Sequence, residues 1–170
     1  KNHEITDSIN SDFSPVFSDD GKYLSFLSKR TFNPVYDSIQ FDLNFTQSEK
    51  PYIVCLDSKT DSPFIKSPAP IIEDAKKSKK KKAKKISVII DFENIKDRII
   101  GIPIRESLLD NSIAFFDNKI FYMKWPFSGS REDGWYDLSS GPSCSVYFYD
   151  LDKLEEQLFI SNVSDFKLDS

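Results

Sequence analysis

The sequence predicts an all-β fold, and three observations predict it. Short runs rich in Ile, Val, Phe and Tyr are separated by Ser, Asp, Asn, Gly and Pro, the pattern of strands joined by turns. Strong helix formers are sparse outside one lysine run, and Phe alone contributes 15 of the 170 residues. The order of strand-like runs also recurs along the chain. Its length suits one domain with a sizeable core or a segment of a larger one.

Residues 13–17 (FSPVF) read as a short strand, and Asp19-Asp20-Gly21 as a turn in which Gly takes a positive φ. In 22–28 (KYLSFLS), Tyr23, Ser25 and Leu27 alternate with Leu24, Phe26 and Ser28. That is period two with both faces partly apolar, as for a strand packed between sheets. A long connection, 29–50, leads to 51–56 (PYIVCL), where Pro51 is tolerated at the first strand position. Residues 64–75 are Pro- and Ser-rich, 76–85 form the lysine tract, and strand signals resume at 86–92 (ISVIIDF) and 97–104 (DRIIGIPI).

The pattern then restarts. A run at 112–117 (SIAFFD) meets a turn at Asp117-Asn118, followed by a strand at 119–125 (KIFYMKW). A polar loop, 126–143, precedes two more strand-like runs, 145–151 (SVYFYDL) and 155–160 (EEQLFI). The last stretch, 164–170 (SDFKLDS), repeats the beginning of 11–18 (SDFSPVFS).

This repeat is that of a β-propeller, whose blades are four-stranded antiparallel sheets with variable loops at the rims. Each blade faces another on both sides, so its middle strands are apolar on both faces. The inner strand is expected to be short, because blades converge on an axis. The expected organisation is a first blade over 1–104, with a long loop 29–50 and a Lys-rich loop 66–85, then a second blade over 105–163. A further blade starts at 164–170. A closed ring needs at least four blades, so the chain reads as a segment of a larger ring.

The net charge of −4 hides an asymmetry. Setting aside the eight lysines of 76–85 leaves 15 basic against 27 acidic residues, a balance of −12. The tract attracts polyanions in a salt-dependent way. It lacks the aromatic interleaving and the arginines of specific nucleic-acid readout. A solvated loop is the preferred reading, a weak electrostatic tether the alternative. No apolar run approaches the ~20 residues of a membrane helix. Cys55 and Cys144 make neither a disulfide framework nor a zinc spacing, and read as small core or edge residues.

Little in the chain points to catalysis. The only histidine, His3, lies at an end expected to fray, and no G-x-S-x-G elbow occurs. Asp19-Asp20, Asp57, Asp61 and Glu155-Glu156 fall mostly at turns, where carboxylates bond nearby backbone N–H groups. No catalytic, cofactor or metal residue is expected. The stretch RTFNPVYD (30–37) is neither strand-like nor helix-like and begins the long connection. It is expected to form a packed Ω-like or helical-turn excursion, with Arg30 pairing Asp37 or Asp42 and Phe32, Tyr36, Phe41 and Phe45 as anchors. The other reading is a surface lining a channel or touching another domain. Trp125 and Trp135 flank WPFSGSREDGW and serve packing or a ligand rim. The candidate channel or inter-domain contacts are therefore Arg30, Asp37, Asp42, Trp125 and Trp135.

SPVFSDDGKYLSFLSKR (14–30) resembles the repeat of TolB-type propellers. The succession RTFNPVYDSIQFDLNF (30–45), KPYIVCL (50–56), DSPF (61–64) and IDFENIKDRIIGIPI (90–104) resembles the propeller region of tricorn-type serine peptidases. The resemblance covers Ile5 to Ile104; residues 105–170 fit by pattern only. It implies part of a seven-bladed propeller preceding PDZ-like and catalytic domains. It implies a large cytosolic, usually oligomeric peptidase that degrades oligopeptides, with the propeller as filter and conduit. The family's catalytic residues lie in C-terminal domains, and none of their motifs occurs here. The lysine tract departs from the family pattern. The expected partners are thus the oligopeptide substrate, the remaining domains of the same protein and further copies of it. The expected compartment is the cytoplasm, or the periplasm if an upstream signal peptide is removed. A stand-alone TolB-like protein-binding module is the alternative, and a prolyl-oligopeptidase-type propeller a third option.

Overall fold

The computed structural model describes residues 2–32, 34–37, 42–44, 47–65, 88–126 and 144–167. Among these, two four-stranded antiparallel sheets carry the fold. The first has the order β1 (Ser11–Phe17), β2 (Tyr23–Lys29), β5 (Lys50–Cys55), β6 (Ile99–Gly101). A ribbon of β3 (Val35–Asp37) and β4 (Asp42–Asn44) is inserted between β2 and β5. The second sheet is a meander of β7 (Leu109–Phe116), β8 (Lys119–Lys124), β9 (Cys144–Asp150) and β10 (Glu155–Val163).

The hairpin turns follow from their sequences. Between β1 and β2, Gly21 takes φ 69°, which it does without steric cost. The Ser18 hydroxyl accepts from Lys22 N (3.1 Å) and Tyr23 N (2.9 Å) and donates to Asp20 Oδ1 (2.8 Å). Between β7 and β8, Asp117 and Asn118 take φ 47° and 58°, the two-residue turn whose twist matches antiparallel strands.

The middle strands alternate as their patterns require. Leu27 of β2 and Ile53 of β5 face Ile120 and Tyr122 of β8 and Tyr149 of β9, in one core shared by both sheets. On the outer side of the first sheet Leu24, Phe26, Tyr52 and Val54 pack with Leu56 and Ile95. On the outer side of the second, Phe121 and Met123 pack with Cys144 and Val146. Both cysteines are free and buried, and burial pushes their thiols up, so they are poor nucleophiles.

Five expectations are corrected. The first strand of each sheet is not short: β1 has seven residues and β7 eight, and the short strand is β6 with three. Register breaks between Phe13 and Val16 and between Leu109 and Ile113 interrupt the long strands. The β6 ladder reaches only Tyr52 to Val54, because a 3₁₀ turn, Ile95–Arg98, occupies the chain before it.

The apolar run at 86–92 does not form a strand over its described part, 88–92. Asp91 N instead bonds Leu56 O at 2.9 Å, and the Arg98 guanidinium donates to the carbonyls of Cys55, Leu56, Asp91 and Glu93. In its described residues the excursion at 29–50 forms a strand pair where an Ω loop or helical turn is expected, with Asp37 opposite Asp42. The last strand runs on to Val163, with irregularities beside residues 159 and 162. The N-terminal stretch is not frayed: His3 stacks on Phe92 with centroids 3.9 Å apart, and Lys96 Nζ lies 2.5 Å from Asp7 Oδ1.

Candidate functional site

The two sheets pack across the shared core and are hydrogen-bonded to each other along one edge. The Ser14 hydroxyl of β1 donates to the Asn111 carbonyl of β7 at 2.5 Å, and Asp117 N donates to Asp19 Oδ2 at 2.8 Å. No hydrogen bond joins β6 to β10 among the described residues. The hydrogen bonds between the sheets at this edge come from β1, β7 and the turns that follow them, and as the first strands of two blades β1 and β7 form the inner rim.

The middle of the inner rim is polar, while Phe17 and Phe116 stand exposed at the ends of β1 and β7. The Ser112 hydroxyl lies 3.1 Å from Asp110 Oδ2 and 3.4 Å from Asp165 Oδ1, and donates to one carboxylate at a time. Asp165 belongs to the Ser-Asp-Phe repeat that follows β10, and its Oδ1 also accepts from Phe166 N at 2.7 Å. Phe166 packs back on the outer core of the second sheet.

Arg30 meets a carboxylate the sequence reading did not assign to it. Its Nη2 lies 2.8 Å from Asp12 Oδ2, and its Nε donates to Asp12 Oδ1 (3.2 Å) and Ser28 Oγ (3.0 Å). Ser28 in turn donates to Asp12. The guanidinium sits over the rings of Phe26 (5.4 Å) and Tyr52 (5.2 Å), a cation–π arrangement. Burial raises the Asp12 carboxyl, but the hydrogen bonds from Arg30, Ser28 and Thr6 and the Arg30 charge together hold it below the ordinary value. The signal in the sequence was the repeated Ser-Asp-Phe at 11–13 and 164–166.

Glu49 was missed altogether. It is buried, its Oε2 accepts from Leu109 N at 2.7 Å, and its Oε1 lies 3.1 Å from Lys29 Nζ. Its backbone pairs Ser107 in an isolated bridge, so one residue ties the first sheet to the strand that begins the second. A third polar knot lies within the second sheet, where the Tyr122 hydroxyl donates to Glu156 and Lys124 Nζ lies 2.5 Å from the same carboxylate. Burial first, then the hydrogen bond and charge of Glu156, push the Tyr122 hydroxyl far above its ordinary value.

The remaining candidates do not gather into one place. Trp125 is partly buried against Phe121, Met123, Cys144 and Val146, and its backbone N–H donates to Leu108 O at 2.9 Å. Asp37 and Asp42 face one another in the β3–β4 register. Trp135 and the lysine tract lie outside the described residues. The described arrangement is thus a set of structural polar knots around a polar inner rim, with no nucleophile and base brought together.

Comparison with known proteins agrees with this architecture. The profile of the family described as the tricorn protease second β-propeller domain matches residues 1–170. A putative tricorn-like protease C-terminal subunit of Sulfurisphaera tokodaii is 34% identical over 164 residues, covering 96% of this chain and 17% of that protein. A tricorn protease homolog of Saccharolobus solfataricus is 34% identical over 166 residues, covering 98% of this chain and 14% of that protein. The crystal structure of the tricorn protease superposes on 99% of the chain and 15% of its own with a TM-score of 0.74 at 20% identity. The fold is therefore that of propeller blades, and the described sheets do not close a ring. The chain spans about a sixth of the length of the curated relatives it matches.

Proposed function

The chain belongs to the tricorn protease second β-propeller family, and from that premise we propose that it is a non-catalytic propeller segment of a tricorn-like serine peptidase. The parent enzyme hydrolyses oligopeptides through residues outside this chain, and the propeller guides or filters those peptides and braces the catalytic domains. In this reading residues 1–104 and 105–163 are successive blades and 164–170 begin the next. The β3–β4 excursion with Arg30, Asp37 and Asp42, and the loop between Trp125 and Trp135, make contacts with the channel or with neighbouring domains. The parent protein works in the cytoplasm as a homo-oligomer.

The observation that carries the reading is the convergence of β1 and β7 into a rim of Ser, Asn and Asp groups. A wholly apolar inner rim would retain peptide side chains, whereas the polar middle of this one, between the exposed Phe17 and Phe116 at its ends, leaves them solvated. The test uses the full-length protein. Asn111 is exposed, so Asn111→Cys labelled with a bulky maleimide narrows the channel without removing the Ser14 bond to the Asn111 carbonyl. Hydrolysis of long peptides is expected to slow while that of short chromogenic peptides is unchanged. Equal rates for labelled and unlabelled protein on long peptides would overturn the guiding role. A full-length protein with only further blades and no peptidase activity would overturn the assignment itself.

A further inference from the structure

Among the described residues the inner rim has two free sheet edges, since β1 and β7 are each paired on one side only. A free edge offers a row of N–H and C=O groups that an extended peptide can join as a further strand. Three observations bear on whether these edges can do so. First, β1 is broken between Phe13 and Val16, where two residues stand against Phe26 alone. Of these two, Ser14 takes φ 53° and Pro15 has no N–H to give. Second, β7 is broken at the matching height, between Leu109 and Ile113. Third, the carbonyl of Asn111, within that second break, already accepts the Ser14 hydroxyl of the neighbouring sheet.

We infer that the inner rim is closed to strand addition: the two register breaks, Pro15 and the Ser14–Asn111 bond prevent an extended oligopeptide from joining either sheet. A ladder needs donors and acceptors at a period of two residues along one edge. Here the period is lost on both edges at the same level, and one acceptor is spent between the blades. A peptide in the channel makes side-chain and water contacts and moves on. This inference rests on the reading that oligopeptides enter the channel, and it adds how the channel avoids holding them.

The test is made on the full-length protein with a fluorescein-labelled peptide of alternating Thr and Val, about ten residues long, followed by anisotropy. Deleting Ser14 together with Pro15→Val leaves one residue opposite Phe26 and restores a regular edge. That variant is expected to bind the peptide about tenfold more tightly than the unmodified protein, or better. A variant with native circular dichroism and size but unchanged affinity overturns the inference. If the deletion does not fold, Ser14→Ala combined with Pro15→Val decides. It frees the Asn111 carbonyl and restores one donor, and is expected to gain about fivefold. Unchanged affinity there is equally fatal.

The plugged Asn111→Cys protein separates this inference from the guiding role. Capture by the deletion variant with no effect of the plug leaves the closed rim standing and removes the guiding role. The converse result removes the closed rim alone.

Discussion

The carboxylate of Glu49 accepts the backbone N–H of Leu109 at 2.7 Å, and through this bond the first sheet holds the first residue of the second. Both groups are buried, with Glu49 at 6% and Leu109 at 6% exposure. The N–H has no solvent to turn to if the acceptor is removed. Glu49→Ala is therefore expected to destabilise the protein by about 1–3 kcal/mol. Glu49→Gln keeps an acceptor oxygen and loses only the pairing with Lys29. The Lys29 side chain is half exposed, so that loss is at most about 1 kcal/mol. Urea unfolding gives the ranking, and hydrogen exchange at the Leu109 amide locates it. Equal protection at Leu109 in all three proteins would show that the bond holds nothing.

Asp12 and Arg30 predict an acid sensitivity. The folded Asp12 carboxyl lies below its ordinary value of 3.8. Its contribution is complete above the unfolded pKa and is lost as the pH falls through the lower folded value. Both side chains are largely buried, and hydrogen bonds to charged groups are worth about 1.5–3 kcal/mol. Stability measured from pH 6 downward should fall for the native protein, and Asp12→Asn should be less stable at pH 6 and flatter toward acid. An acid limb of the same steepness in both proteins would remove Asp12 as its source.

Two tyrosines of the shared core predict opposite responses to the same substitution. The Tyr122 hydroxyl donates to Glu156, while the buried Tyr149 hydroxyl has no hydrogen-bond partner among the described residues. Tyr122→Phe leaves the Glu156 carboxylate without that donor and should cost about 1–3 kcal/mol. Tyr149→Phe removes a desolvated group that gains nothing and should be neutral or stabilising by about 1 kcal/mol. Thermal unfolding of the two variants side by side decides the matter, and a clear loss for Tyr149→Phe would mean that its hydroxyl is satisfied in solution.

How much of this was legible depends on the range of each interaction. The β2 and β8 strands were readable because their alternation is local and both faces are apolar. The turns at Gly21 and at Asp117-Asn118 were readable because φ > 0 needs particular residues. The tricorn-type resemblance could be read because its motifs follow one another over 30–104. The polar knots were not legible. Arg30 had acidic residues on both sides, and only the fold brings it to Asp12 rather than to Asp37 or Asp42. Glu49 looks like one more loop carboxylate until the strand 60 residues later arrives. The run before Asp91 has the composition of a strand, but composition does not say which carbonyls the Arg98 guanidinium will claim.

That guanidinium gives the last prediction. Arg98 donates through Nε to Cys55 O (2.9 Å), through Nη1 to Glu93 O (2.8 Å) and through Nη2 to Leu56 O (3.4 Å) and Asp91 O. It thereby fixes residues 91–93 against the end of β5. A planar fork with five donors can reach carbonyls on two sides at once, and a lysine ammonium cannot. Arg98→Met should cost about 2 kcal/mol or more, because partly buried acceptors lose a charged donor. Arg98→Lys should recover no more than half of that. Hydrogen exchange should rise in both variants at Asp91, whose N–H bonds Leu56 O at 2.9 Å, and stay unchanged in the β7–β8 hairpin. Full recovery by Lys would mean that one charge suffices and that the fork geometry has no part in holding this segment against the end of β5.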